Sequence, residues 1–123
     1  MIKNNNLRFA TSNTLLRIGI PYNINGAKYL IRAVEIAVES PDAVMNITKR
    51  IYQIIAIESN TKAANVERAI RHAIDIAWSK NRIAFLNTIF GVDIYEEQDR
   101  PCNGEFIALL AERIPYIAGG FDL

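Results

Sequence analysis

The sequence predicts an all-α protein of about six helices arranged around a helix-turn-helix. Apolar residues recur at spacings of three and four along nearly the whole chain, which is the period of an amphipathic helix. Glycine and proline interrupt this pattern where helices are expected to end, as at Gly19 and Pro21. The one alternating stretch, Val92 to Tyr95, has no visible partner strand, and we interpret it as an extended loop.

Each predicted helix is bounded by residues that favour a helix start or end. Gly91 closes the short helix before the loop, Asn103 is suited to cap the last helix, and Pro115 lies just beyond that helix. In chain order the predicted elements are Thr11 or Ser12 to Ile18, Ala27 to Glu39, a turn or short helix at Ser40-Pro41-Asp42, Met45 or Ile47 to about Ser59, about Lys62 to Lys80, Ile83 to Phe90, and Gly104 to Arg113.

The length and composition fit a single domain spanning residues 1–123, with flexible ends at about 1–10 and 116–123. Of the residues, 50% are hydrophobic and 22% are charged, as in ordinary globular proteins. Charges interrupt every apolar run, so we expect no membrane span, and the asparagine-rich N-terminus lacks the apolar core of a signal peptide. We therefore expect a cytoplasmic protein without a membrane partner.

The residues that carry most enzyme chemistry are scarce. Cys102 is the one cysteine and His72 the one histidine, which leaves no internal disulfide and no cluster of metal ligands. The chain has no glycine-rich phosphate loop, and the adjacent Glu96 and Glu97 have no recognisable partner. We expect no enzyme activity, no metal and no cofactor.

Positive charge is concentrated in the middle of the chain. Residues 44–82 contain seven Lys/Arg and three Asp/Glu, whereas residues 83–123 contain two and seven. The net charge of the whole chain is only +1. This polarity would orient the molecule on a polyanion, although phosphate contacts alone would give a modest affinity.

The segment from Val66 to Trp78 has the pattern of a helix that reads DNA. Its apolar residues form one face, and Glu67, Arg68 and Arg71 lie outside that face. Arginine can form a bidentate pair with guanine, and a carboxylate can accept from the amino group of cytosine. An ordinary amphipathic helix with a solvated charged face would show the same pattern.

The residues upstream favour DNA reading, because they match a helix-turn-helix at about residues 47–80. Ala56 supplies the small residue where the second helix crosses the first, Asn60 suits the positive φ of the turn, and Val66 is the apolar anchor. This register and the helical periodicity both place Glu67, Arg68 and Arg71 on the solvent-facing side of the second helix.

The stretch from Val66 to Ser79 closely resembles the recognition-helix signature of the sporulation master response regulator family of endospore-forming bacteria, in its DNA-binding effector domain. Weaker matches flank it in the expected order, at Ile18-Gly19-Ile20-Pro21, Gly26, Tyr29-Leu30, Ile47-Thr48-Lys49, Tyr52, Phe90-Gly91, Pro101, Asn103 and Glu105-Phe106-Ile107-Ala108. The resemblance covers about residues 14–114. It implies an all-helical domain that binds double-stranded DNA at a TGTCG-like operator box. Family members usually carry a receiver domain, so this chain is expected to be a stand-alone paralogue or an excised domain.

The resemblance also implies roles for individual residues. Glu67, Arg68 and Arg71 are expected to read bases. Candidates for contacts to the DNA backbone, which fix register without reading sequence, are Lys49, Arg50, Lys62, Asn65, His72 and Lys80. Candidates for contact with the sigma subunit of RNA polymerase are Ile83, Leu86 and Phe90.

Several positions depart from the family pattern. Ile57, Glu58 and Ser59 replace two lysines and a phenylalanine, and Asn65 replaces an arginine. Lost phosphate contacts lower affinity and flatten its salt dependence. One hypothesis is a sequence-specific transcription regulator of weak affinity, aided by a homodimer or by tandem sites. The alternative is an interaction protein that binds the full-length sporulation regulator or RNA polymerase and binds DNA weakly or not at all; the retained base-reading residues favour the first.

Overall fold

The computed structural model describes residues 4–118 of the chain, with side chains described for residues 6–117. In chain order the helices are α1 (Asn4–Arg17), α2 (Asn25–Glu39), a 3₁₀ helix (Pro41–Asn46), a π-helical segment (Thr48–Tyr52), α3 (Gln53–Glu58), α4 (Ala63–Ser79), α5 (Phe85–Phe90) and α6 (Asn103–Ala118). The described residues form no strand. The prediction of an all-α fold is therefore confirmed.

Helix α2 is the centre of the molecule, because it packs against α1, α4 and α6. Its approach to α4 depends on Gly26, which is buried. A methyl group at Gly26 would overlap the carbonyl oxygen of Ala69 and would lie 2.8 Å from Cβ of Ala73. The missing side chain at this position therefore sets the distance between α2 and α4.

Helix α1 begins at Asn4, so the predicted start at Thr11 or Ser12 is wrong. Residues 4–10, which the sequence assigned to a flexible end, are helical, and Leu7 and Ala10 are buried. The buried hydroxyl of Thr11 donates to the carbonyl oxygen of Leu7 at 2.7 Å, so this polar group has a hydrogen-bond partner inside the core. Burial of this apolar face outweighs the low helix propensity of the asparagines at the start of the helix.

Helix α6 begins at Asn103 and continues through Pro115 to Ala118, so the predicted end at Arg113 is wrong. Proline removes one backbone hydrogen bond and crowds the preceding turn. Packing compensates for this loss, because Leu110 and Ile114 are fully buried. Residues 116–118, expected to be flexible, belong to this helix, whereas 119–123 lie outside the described residues.

The predicted boundaries of α2, α4 and α5 agree with the structure to within about two residues, whereas the turn or short helix predicted at Ser40-Pro41-Asp42 is a 3₁₀ helix that continues to Asn46. The first motif helix spans Thr48 to Glu58, close to its predicted bounds. That helix is not uniform, since a π-helical segment precedes α3. Such π turns occur frequently at functional sites. Gly91 ends α5 with a φ of +65°, and the residues that follow it form an irregular loop, as predicted.

Candidate nucleic-acid interface

Helices α3 and α4 form the helix-turn-helix in the register that the sequence predicts. Ala56 is 5% exposed at the crossing of the two helices, and Val66 is fully buried. Asn60 adopts a φ of +54° in the turn. The amide of Thr61 donates to the carbonyl oxygen of Ala56 at 2.9 Å, closing the end of α3 in the usual left-handed cap.

The buried stripe of α4 consists of Val66, Ile70, Ala73, Ile74 and Ala77. Arg68 and Arg71 lie on the exposed side, and Glu67 is partly exposed beside them. This arrangement leaves the three predicted base readers together on the outer face of the helix.

Glu67 and Arg71 are paired with each other in the free protein. The Nη1 atom of Arg71 lies 2.6 Å from each carboxylate oxygen of Glu67, one helical turn away. Arg68 makes no hydrogen bond or ion pair within the described part of the chain, so its five donors face solvent. The site therefore holds one oriented guanidinium and one unpaired guanidinium.

The candidates for contacts to the DNA backbone differ in whether their side chains already have a partner in the free protein. Lys49 and Lys62 are exposed, and their side chains have no partner among the described residues. Arg50 is paired with Asp42 through Nη1 and Oδ2 at 3.0 Å, and this hydrogen bond holds the pKa of the Asp42 carboxyl below its usual value. Asn65 donates from Nδ2 to the hydroxyl of Thr61 at 3.0 Å, which braces the turn.

The structure separates Lys80 from the other candidates. Its Nζ atom donates to the carbonyl oxygen of Gly19 at 2.8 Å, beside a similar bond of 2.7 Å from Arg82 to Arg17. Lys80 therefore caps the end of α1, and it lies about 18 Å along α4 from Arg68 at the rise of an α-helix. His72 is exposed on α4, next to Arg71.

The prediction that Ile83 and Leu86 contact RNA polymerase is wrong, because both side chains are fully buried. The apolar face of α5 packs on the core of this chain, as the apolar face of a short amphipathic helix commonly does. Phe90 is partly exposed and is the one of the three that a partner can reach.

Sequence reasoning missed the part that Asn103 plays. The capping position of α6 belongs to Cys102, whose backbone amide donates to the carboxylate of Glu105 at 3.3 Å. Hydrogen bonds from the thiol and the amide of Cys102 lower the pKa of Glu105. Asn103 instead donates from Nδ2 to the Tyr52 hydroxyl at 3.0 Å and to the Glu67 carbonyl oxygen at 3.1 Å. The spacing Cys102-x-x-Glu105 resembles a capping box and could have indicated this shift.

Sequence reasoning also missed the partner of Glu58 at the end of α3. Arg32 forms a fork with it, with Nε–Oε1 at 2.8 Å and Nη2–Oε2 at 2.9 Å. This hydrogen bonding lowers the pKa of Glu58. Arg32 of α2 thus neutralises the negative charge of Glu58 beside the turn. The neighbouring side chain of Ile57 is 81% exposed.

Other classes of site find little support in the part of the chain that the structure describes. No three His, Cys, Asp or Glu residues there are grouped so as to hold a metal ion. None of the helices from residue 4 to residue 118 has the length and hydropathy needed to cross a membrane.

Comparison with known families shows which family the chain belongs to. The family model described as sporulation initiation factor Spo0A C terminal matches residues 11–114 of the 123 residues. The matched region contains the helix-turn-helix, α5 and most of α6. The chain therefore belongs to the Spo0A C-terminal family, the DNA-binding effector domain of a sporulation regulator.

Proposed function

We propose that the protein is a sequence-specific transcription regulator that reads a TGTCG-like operator box with α4 in the major groove. The observation that carries the proposal is the exposed Arg68 beside the Glu67–Arg71 pair, opposite the buried stripe of α4. Arginine supplies the bidentate donors that guanine requires, and Glu67 supplies an acceptor for cytosine. A solvated amphipathic helix can carry the same charges, and it is the helix-turn-helix register, with Asn60 at a φ of +54° and Val66 fully buried, that supports base reading.

The Glu67–Arg71 pair is compatible with DNA binding on energetic grounds. An exposed ion pair at this spacing contributes only about 0.3–0.5 kcal/mol. A bidentate contact to a base discriminates against the wrong base by about 1–3 kcal/mol. Breaking the internal pair therefore costs less than the discrimination that a base contact supplies, and in the free protein the carboxylate holds the Arg71 guanidinium.

Phosphate contacts in this proposal come mainly from Lys49 and Lys62, which have no competing partner among the described residues. Arg50 can contribute when it releases Asp42, and Asn65 and His72 can add further hydrogen bonds. Two charge-neutralising contacts would give a slope of about −2 for log affinity against log salt. Affinity is expected to depend on salt much less than for a strongly basic regulator, and tandem sites or a homodimer would strengthen binding.

The test is a fluorescence-anisotropy titration on a duplex carrying tandem TGTCG boxes, with a scrambled duplex of the same composition. We expect tighter binding to the operator at both about 50 mM and about 150 mM salt, and a shallow salt slope on both duplexes. Equal binding to operator and scrambled DNA would contradict sequence-specific reading.

A second candidate function is favoured by the exposed apolar surface of α3. Ile57 is 81% exposed and Ile54, one turn earlier, is 38% exposed. This strip would suit an interaction protein that binds the full-length regulator or RNA polymerase, the sigma subunit included. Ile57→Lys separates the two functions, because a lysine there should strengthen binding to DNA but weaken binding to an apolar protein surface. The readouts are the same titration and a binding assay with purified full-length regulator and polymerase.

A further inference from the structure

One side-chain amide connects three helical elements at the reading end of α4. The Nδ2 atom of Asn103 donates to the Tyr52 hydroxyl at 3.0 Å and to the backbone oxygen of Glu67 at 3.1 Å. A backbone carbonyl can only accept, so the amide nitrogen, and not its oxygen, must face Glu67. The three residues are far apart in sequence, at separations of 51 and 36 positions from Asn103.

The segment that leads to Asn103 follows α4 in the opposite direction. We call residues 98–103 the strap. At its beginning the indole of Trp78 donates to the Gln98 carbonyl oxygen at 3.1 Å, and further along Arg100 forms an ion pair with Asp75. The strap therefore meets α4 near its C-terminal end, then one turn earlier, and finally at Glu67, over about 16 Å of helix.

The end of the strap is fixed to the core, whereas the contacts before it are exposed. Phe106 and Ile107, in the first turn of α6, are fully buried. Tyr52 is 5% exposed, and it belongs to the π-helical segment that leads into α3. Burial raises the pKa of the Tyr52 hydroxyl above its ordinary value. Asn103 thus links the buried core to the backbone of a proposed base reader.

We propose that Asn103 is a positioning residue that fixes the axial position and rotation of the first two turns of α4. The hydrogen bonds that its side-chain amide donates thereby control how well α4 discriminates between DNA sequences. The inference rests on the proposed function, because it concerns the same reading face. Base contacts need two hydrogen bonds in register, and these weaken steeply when the angle or distance changes. Phosphate contacts from long lysine side chains tolerate a shift of the helix. Loss of Asn103 should therefore affect operator binding more than binding to scrambled DNA.

Two variants remove the donors, and a third provides a matched control. Asn103→Ala removes the side-chain amide, and Asn103→Asp keeps its size and favours the start of α6 but donates no hydrogen bond to Glu67. Glu105→Gln weakens the cap of α6 at Cys102 without touching α4. A fourth variant, Tyr52→Phe, removes one of the two acceptors and keeps the ring.

The first measurement is amide hydrogen exchange without DNA. We expect residues 67–71 to exchange about tenfold faster in Asn103→Ala and Asn103→Asp, in line with one lost hydrogen bond, and to be unchanged in Glu105→Gln. Unchanged exchange in both Asn103 variants would overturn the inference whatever the DNA results show. If Asn103→Ala does not fold, Asn103→Asp and Tyr52→Phe carry the same comparison.

The second measurement is the ratio of operator to scrambled affinity. We expect the ratio to fall about tenfold in the Asn103 variants and about threefold in Tyr52→Phe, with scrambled affinity within about twofold of the wild type. Equal losses on both duplexes, or an equal effect of Glu105→Gln, would overturn the positioning role. A wild-type protein that does not discriminate would contradict the proposed function, while the exchange experiment would still decide whether Asn103 positions α4.

Discussion

Gly26→Ala is expected to destabilise the protein strongly, because it forces α2 away from α4. The new methyl group would overlap the carbonyl oxygen of Ala69 and would lie 2.8 Å from the Ala73 methyl group. Neither group can rotate away, since one is backbone and the other is a Cβ atom. Overpacking of this kind costs typically 1–3 kcal/mol, and we expect about 3 kcal/mol here because two helices must separate.

The assay is equilibrium unfolding in urea, followed by circular dichroism, with thermal unfolding as a second readout. For a domain of this size, about 3 kcal/mol corresponds to a drop in Tm of roughly 10 °C. DNA discrimination should fall as well, because α4 carries the proposed base readers and would be displaced.

Gly104→Ala is the matched control for the same substitution. Its methyl group would meet Val44 at 3.7 Å, an ordinary contact, and Gly104 lies within α6. We expect it to be neutral or to stabilise the protein by up to about 1 kcal/mol, since alanine favours a helix over glycine. A Gly26→Ala variant within about 1 kcal/mol of the wild type would refute the argument that Gly26 sets the distance between α2 and α4.

Three further predictions concern the turn at Asn60, the ion pair between Glu58 and Arg32, and the proposed phosphate contact of Lys49. Asn60→Ala should cost about 1–2 kcal/mol in urea unfolding, because its φ is +54°, whereas Asn60→Gly should be close to neutral. Glu58→Gln should strengthen binding to any DNA sequence by removing a negative charge, and should cost less than about 1 kcal/mol of stability because its pair with Arg32 is substantially exposed. Arg32 lowers the pKa of Glu58, so the pair stabilises the fold above the ordinary carboxyl pKa, and this contribution is lost as pH falls through the lowered value. The free energies of unfolding of the wild type and Glu58→Gln should therefore converge in acid. Lys49→Ala should weaken operator and scrambled DNA alike and reduce the salt slope by about one unit; a loss confined to the operator would contradict its assignment to the DNA backbone.

The helix-turn-helix could be predicted from the sequence because its requirements are local. Ala56, Asn60 and Val66 lie within eleven consecutive residues, and each meets a geometric demand of the turn that few residue types satisfy. The outward position of Arg68 follows in the same way from helical periodicity. In the structure Asn60 has a φ of +54° and Val66 is fully buried, as this register requires.

The misplaced residues depend on partners that are distant in the chain. Lys80 bonds to Gly19, 61 positions away, and no local pattern distinguishes such a lysine from one that is free to bind phosphate. The apolar spacing of Ile83 and Leu86 is the same for a buried face and for a docking surface, and the structure shows the buried face. Asn103 is a plausible cap in sequence, but its amide bonds to Tyr52 and Glu67 instead.

The most direct test of the account is the effect of Arg68→Ala on a panel of operators that differ from the TGTCG box by one base pair. We expect the variant to lose discrimination at one G·C pair, at a cost of about 1–3 kcal/mol on the intact operator, and to keep discrimination at the other positions. Arg17→Ala, which removes the same charge from α1, should leave discrimination unchanged at every position. An Arg68→Ala variant that weakens operator and scrambled DNA equally, with discrimination intact across the panel, would contradict the claim that α4 reads the sequence through Arg68.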